Sequence, residues 1–304
     1  MGGDQFSADN DVSVKENILN QTQYLTDSVA AFRDWLAERF CGQPIDFAVP
    51  GAVAFTHLGS ALAAYSWPPR AKAGLPNPHL GLPFVHPVVP VLTAQGSLAA
   101  NTVVLDIIQR QLRTAYASGP RASNLLSGAV AAVLHWGGVY TRRGNGRWLS
   151  TNHPNLSAIL QSVVKDHGRG EDTSTVAGLR FNSGMTKVYS LLIDDFIIYD
   201  SRVAASLAWL AKKWWTIDCG QPANTLPSLL RFVCLQGNGK MASFRNPDPS
   251  LFKTYATAAY THYTWNIRAN WLLVDALRVA DTDSQFDSLR EVESALFQMG
   301  NRVI

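Results

Sequence analysis

Lys187 and Asp200 stand 13 residues apart in the segment Phe181-Asn-Ser-Gly184-Met-Thr-Lys187-Val-Tyr-Ser-Leu-Leu-Ile-Asp-Asp195-Phe-Ile-Ile-Tyr-Asp200-Ser-Arg202-Val-Ala. A glycine turn opens one helix, and Lys187 projects from its first turn. A short turn leads to Asp200, at the N-cap of a second helix. There an aspartate accepts hydrogen bonds from backbone N–H groups and meets the positive end of the helix dipole. The two helices therefore bring an amine and a carboxylate to one cleft. A carboxylate so placed stabilises developing positive charge or activates water, and an uncharged amine is a nucleophile.

A second group lies upstream, in Gly137-Gly-Val-Tyr140-Thr-Arg142-Arg143-Gly-Asn-Gly-Arg147-Trp148. It reads as a glycine-rich loop flanked by aromatic residues. Its three arginines make a local cationic patch suited to phosphate.

Gly184-Met-Thr-Lys187-Val188 and Phe196-Ile-Ile-Tyr-Asp200-Ser-Arg202-Val203 resemble the helix-hairpin-helix DNA glycosylase superfamily, and within it the 8-oxoguanine DNA glycosylase-like branch. The likeness is strong over residues 181–204 and elsewhere extends only to helical class. It implies a mostly α, bilobal helical fold with few or no strands, around a cleft for double-stranded DNA. It also implies an aspartate needed for N-glycosidic cleavage, here Asp200, and in some members a lysine nucleophile, here Lys187. Gly184, Thr186 and Arg202 fall on the motif and are expected at the DNA. The family's Leu-Pro-Gly-Val-Gly hairpin is replaced by Phe-Asn-Ser-Gly-Met, and the lysine-to-aspartate spacing is shorter than in the bifunctional members.

Removing a base develops positive charge on the sugar, which a nearby carboxylate offsets. The base must first leave the stack and enter a pocket. Trp136, Tyr140, Tyr189 and Trp265, with Trp148, are the candidate pocket or wedge residues. Arg142, Arg143 and Arg147 are candidates for phosphate or for the orphaned base, and Arg268 is a further candidate for the cleft. The expected substrate is a modified base, either an 8-oxoguanine-like lesion or, in antiviral defence, a hypermodified phage cytosine. Two rivals stand beside this reading: an inactive nucleic-acid-binding module of the same fold, and a helical partner-binding protein.

Plainer roles exist for the same residues. Asp200 serves as a cap worth about 1 kcal/mol. Lys187 reads more plainly as a solvated lysine on a helix face, or else as a phosphate contact. The 142–147 loop reads as a charged turn. Trp214, Trp215 and Trp271 fit core packing, His135 and His262 fit satisfied core histidines, and Asp194 and Asp195 fit turn positions.

The elements that must position these groups are read from apolar spacing. Helices are expected over 12–40, 52–66, 97–117, 122–136, 155–167, 184–193, 201–215, 224–235, 248–277 and 283–298. Seven prolines make 67–90 a loop, with a short extended piece at Val88–Leu92. One glycosylase-like unit is expected over 1–304, with the hairpin and catalytic segment at about 181–215.

Hydrophobic residues make up 47% of the chain and charged residues 16%, against about 25% charged in ordinary domains. That excludes a disordered or coiled-coil chain. The net charge of +3 permits a nucleic-acid partner without announcing one. Three scattered cysteines, Cys41, Cys219 and Cys234, fit buried thiols in a reducing cytosol. No secretory leader, membrane span, metal site or soluble cofactor is expected from the sequence. The expected state is a cytoplasmic monomer.

Overall fold

The computed structural model describes residues 18–68, 96–141, 144–237, 242–256 and 258–304. The described residues are mostly helical, as the periodicity predicts. Residues 12–17, most of the proline-rich 67–90 stretch, Val88–Leu92, Arg142 and Arg143 lie outside them.

The first expected helix is two. Thr26 is extended (φ −119°, ψ 162°) and separates α1 (Gln21–Tyr24) from α2 (Asp27–Phe40). Asn20 and Gln23 close α1 with a reciprocal capping box. Residues 52–66 yield only α3 (Leu58–Ala63), because Phe55 pairs back with Phe47 as an isolated bridge. Then follow α4 (Leu98–Ala117), α5 (Ser123–Trp136), α6 (Asn145–Asn152), α7 (Leu156–His167), α8 (Met185–Leu192) and α9 (Ser201–Lys213). The 137–148 stretch is thus not loop throughout, since α6 begins at Asn145.

Residues 224–235 are not a helix. Pro222 and Pro227 each precede a single 3-10 turn, and β1 (Cys234–Leu235) pairs in parallel with β2 (Thr254–Tyr255). The expected 248–277 helix starts late, as α10 (Ala259–Ala280). Before it, Pro247 and Pro249 remove backbone donors, and Asp248 accepts from Ser250 in a turn. The last helix is α11 (Leu289–Met299), capped by Ser288.

Two groups of helices result. In one, α2 lies along α10, α3 along α11, and α11 also along α9. In the other, α4 packs on α5 and α8, and α5 packs on α6, α7 and α8. A single buried apolar cluster runs through both. Arg268 is not at a cleft: it is buried against Asp172 at 2.7 Å, and Asp172 also accepts from Leu19 N at 2.9 Å. This pair ties the start of the described chain to α10. Among the described residues no helix is long and apolar enough to cross a membrane.

Candidate active site

The lysine and the aspartate come from different helix groups. Lys187 belongs to α8 and Asp200 caps α9, so their meeting point lies where the groups join. Asn182 starts α8: its Oδ1 accepts from Gly184 N (2.9 Å) and Met185 N (3.0 Å). Its amide nitrogen donates to Asn145 Oδ1 on α6 (3.0 Å). Gly184 lets this amide pair close up, because a Cβ there would overlap Asn145. One turn on, the Lys187 stem runs past Gly137 into the interior, and the residue is only 5% exposed. Its Nζ donates to Ser183 O (2.8 Å) and stands 3.7 Å from Asp200 Oδ2.

Asp200 divides its two oxygens between two tasks. Oδ1 accepts from Arg202 N (2.8 Å) and Val203 N (3.2 Å), capping α9. Oδ2 faces the ammonium. The plain cap and the paired carboxylate are therefore the same residue at once. Burial pulls the Lys187 pKa below its ordinary value, against the opposing pull of Asp200 and Glu293.

The segment that delivers Asp200, residues 196–199, belongs to no helix or sheet. Side chains of α10 and α11 hold it instead. Asn270 Oδ1 accepts from Ile197 N (2.9 Å), and Asn266 Nδ2 donates to Ile197 O (3.3 Å). His262 Nε2 donates to Tyr199 O (2.7 Å). Glu293 Oε2 accepts from Ile198 N (2.7 Å). Glu293 is buried, which raises its pKa, and Arg290 holds it through two bonds of 2.8 and 2.7 Å. Arg290 also reaches Ser190 Oγ on α8 (3.4 Å). The Arg290–Glu293 pair thus touches both the helix bearing Lys187 and the strap bearing Asp200. His262 is buried with its pKa lowered to about 4, so its ring is neutral.

Lys187, Asp200 and Glu293 line a recess walled also by Tyr65, Trp67, Trp136, Ile198 and Phe297. Its volume, about 20 Å³, admits one water molecule. Arg202 lies over the Phe297 ring, 4.3 Å from its centroid, and Arg245 donates to Ser201 Oγ (2.8 Å). The Asp200 charge is thus felt by Lys187 and Arg245, with the Glu293 carboxylate beside it in the same recess.

Of the expected pocket aromatics, Trp136 reaches this recess. Tyr189 and Trp265 are in the core instead. Tyr189 is fully buried, stacks on Phe181 and donates to Arg180 O (2.9 Å). Trp265 packs edge-on against Phe232, beneath Arg268. Tyr140 is half-buried, and its hydroxyl is enclosed without a partner. Thr186 is fully buried beside Ser183 O, so it offers no surface to a DNA strand. Arg147 is exposed on α6. Arg142 and Arg143 are outside the described residues.

His262 is the satisfied core histidine expected, but sequence reasoning missed Trp67, Phe297, Glu293, Arg245 and the polar line that His262 forms with Asn266 and Asn270. That line did leave a signal: a spacing of four puts these three polar groups on one face of an otherwise apolar, aromatic helix. Among the described residues, no three His, Cys, Asp or Glu side chains converge as metal ligands. No family model, curated protein or solved structure matches the chain.

Proposed function

We propose that the protein is a DNA glycosylase that flips out a modified base and cleaves its N-glycosidic bond. The supporting observation is the buried Lys187 amine, 3.7 Å from an Asp200 carboxylate whose other oxygen is committed to a helix cap. An aspartate fixed in this way cannot swing aside, and charge developing on a sugar carbon beside it is offset without reorganisation. Arg202, over the Phe297 ring of the recess, and Arg245, bonded to Ser201 beside Asp200 in the chain, supply positive charge that suits an approaching phosphodiester.

In the reaction, Asp200 takes a proton from Lys187, whose ammonium form burial already disfavours. The neutral amine attacks C1′ as the C1′–N bond to the base breaks. The proton held by Asp200 passes to the departing base, leaving Lys187 joined to C1′ as an aminal. Asp200 then takes a proton from the attached amine and gives it to O4′ as the C1′–O4′ bond breaks. The ring-opened sugar stays on Lys187 as a Schiff base. The recess favours a second route, because it has room for one water molecule beside the same carboxylate. In that route Asp200 directs water to C1′ and Lys187 remains an ammonium. A nucleotide is larger than the recess, so Trp67 and Phe297 part as it enters.

The test is abasic-site formation on DNAs carrying oxidised, alkylated, deaminated and phage-type hypermodified bases, comparing wild type with Asp200→Ala. Product that disappears in the variant supports the reading and names the base. Borohydride trapping of a protein–DNA adduct, absent in Lys187→Gln, selects the amine route over the water route. DNA binding with no product on any substrate overturns the reading.

A further inference from the structure

The buried face of α4 is apolar except for Asn101, which is 1% exposed. A buried amide is costly unless its polar atoms are paired, so its partners mark what it is placed to hold. Asn101 Nδ2 donates to Gly96 O (2.8 Å), Ser97 O (3.1 Å) and Trp67 O (3.2 Å). Its Oδ1 accepts from Trp136 Nε1 (3.0 Å). Carbonyls on one side and an indole N–H on the other fix which way the amide faces. Two further bonds close the cluster. Trp67 N donates to Gly96 O (2.9 Å), and Trp67 Nε1 donates to Trp136 O (3.0 Å).

The two tryptophans tied in this way are walls of the recess that contains Lys187 and Asp200. They stand 69 residues apart in the chain, and Asn101 bonds to both. Trp136 also ends α5 beside Gly137, the residue past which the Lys187 stem runs. A shift of Trp136 therefore moves the packing of the stem as well as the wall. On the facing wall, Phe297 meets Trp67 edge-on at 5.4 Å, a packing contact without a hydrogen bond. Asn101 itself does not line the recess, so its influence on the lysine passes through the two indoles.

We propose that Asn101 is a positioning residue for Lys187: it holds Trp67 and Trp136 as the wall that keeps bulk water off the amine. The proposal rests on the glycosylase reading only for the use made of that amine. Burial is the largest influence on Lys187 and favours its uncharged form. Asp200 at the start of α9 and Glu293 on α11 favour the ammonium, and Arg202 on α9 opposes it. Arg290 stays bonded to Glu293, while His262 on α10 is neutral and burial keeps the Tyr65 hydroxyl protonated. Asn101 and Trp136, which α4 and α5 bring to the wall, do not titrate. Releasing the wall thus hydrates the amine without removing any of these charges. The Lys187 titration then moves up, towards that of an ordinary lysine.

The experiment follows the Lys187 side-chain resonance against pH in full-length protein labelled with 13Cε-lysine, without DNA. Lys187→Gln assigns the resonance. Asn101→Leu removes the amide at similar size. Its Lys187 midpoint is expected to rise by at least about one pH unit over wild type, and the pH profile of borohydride trapping to move up with it. Trp67→Phe removes only the indole bond to Trp136 O, and is expected to move the midpoint the same way by less. That variant carries the test if Asn101→Leu does not fold. Reduced stability with an unmoved Lys187 midpoint in a folded variant overturns the proposal and leaves Asn101 a purely structural residue. Because the titration needs no DNA, the two readings fail separately. A raised midpoint in a protein that excises nothing leaves the wall standing without the glycosylase. An unmoved midpoint in a variant that still excises leaves the glycosylase standing without this role for Asn101.

Discussion

A Cβ on Gly137 would overlap the Cδ and Cε atoms of Lys187. Gly137 has φ −70°, which any residue adopts, so glycine is required for space and not for conformation. Gly137→Ala is predicted to push the lysine stem aside at a cost of about 1–3 kcal/mol. Borohydride trapping should fall at least about tenfold with the helical circular dichroism unchanged, since a small displacement from attack geometry is costly. Undiminished trapping would show that the stem has another path.

Asp200 carries a cap and a charge, and two substitutions separate them. Asparagine caps about as well as aspartate, whereas alanine loses about 1 kcal/mol. Asp200→Asn should therefore unfold near the wild-type denaturant midpoint, and Asp200→Ala below it. Both should lose excision by about a hundredfold or more. Retained excision in Asp200→Asn would remove the carboxylate from the mechanism.

The Ile198 amide has Glu293 as its acceptor. Glu293→Gln keeps an acceptor at that position, while Glu293→Ala leaves a buried N–H and the Arg290 guanidinium without this partner. The alanine variant should lose about 2–4 kcal/mol of stability and its Ile198 hydrogen-exchange protection. The glutamine variant should keep that protection. Equal protection in both would mean that packing alone holds the strap.

His262 makes stability depend on acid. Its folded-state pKa, about 4, lies below the ordinary 6.5, so the unfolded chain binds more protons between those values. Stability therefore falls as pH drops through that window and is unaffected by this group above it. Relative to wild type, His262→Gln should gain on the order of 3 kcal/mol as pH is lowered from 7 to 4. Chemical denaturation at several pH values measures the difference. Parallel curves for the two proteins would show that the ring is not held neutral.

The site was legible where local punctuation governs it. Gly184 and Asp200 mark the two helix starts, and the structure has α8 and α9 within a residue or two of their expected bounds. Lys187 and Asp200 do meet, as short-range geometry requires. The opposite wall was not legible, because Trp67 and Phe297 come from distant segments and their meeting depends on α3 packing along α11. Glu293 escaped notice for another reason. In Leu-Arg-Glu291-Val-Glu293 it reads as one more charge on an amphipathic helix, and only the neighbouring strap turns it inward. Tyr189 and Trp265 show the converse, since an aromatic near a motif is not thereby near its site.

The strap before Asp200 has a consequence for the order in which the protein is made. Its Ile198 amide is anchored 95 residues downstream, and the α10 anchors come nearly as late. A nascent chain that has emerged through α9 already holds Lys187 and Asp200 and the cap on α9, yet lacks every α10 and α11 anchor of the strap between them. The buried face of α9, with Val203, Leu207 and Leu210, also waits for α11. Such non-local pairing slows folding and leaves apolar surface uncovered during synthesis. Partial translation products should therefore be inert toward DNA and prone to chaperone capture, with reactivity appearing only once the last helix has docked.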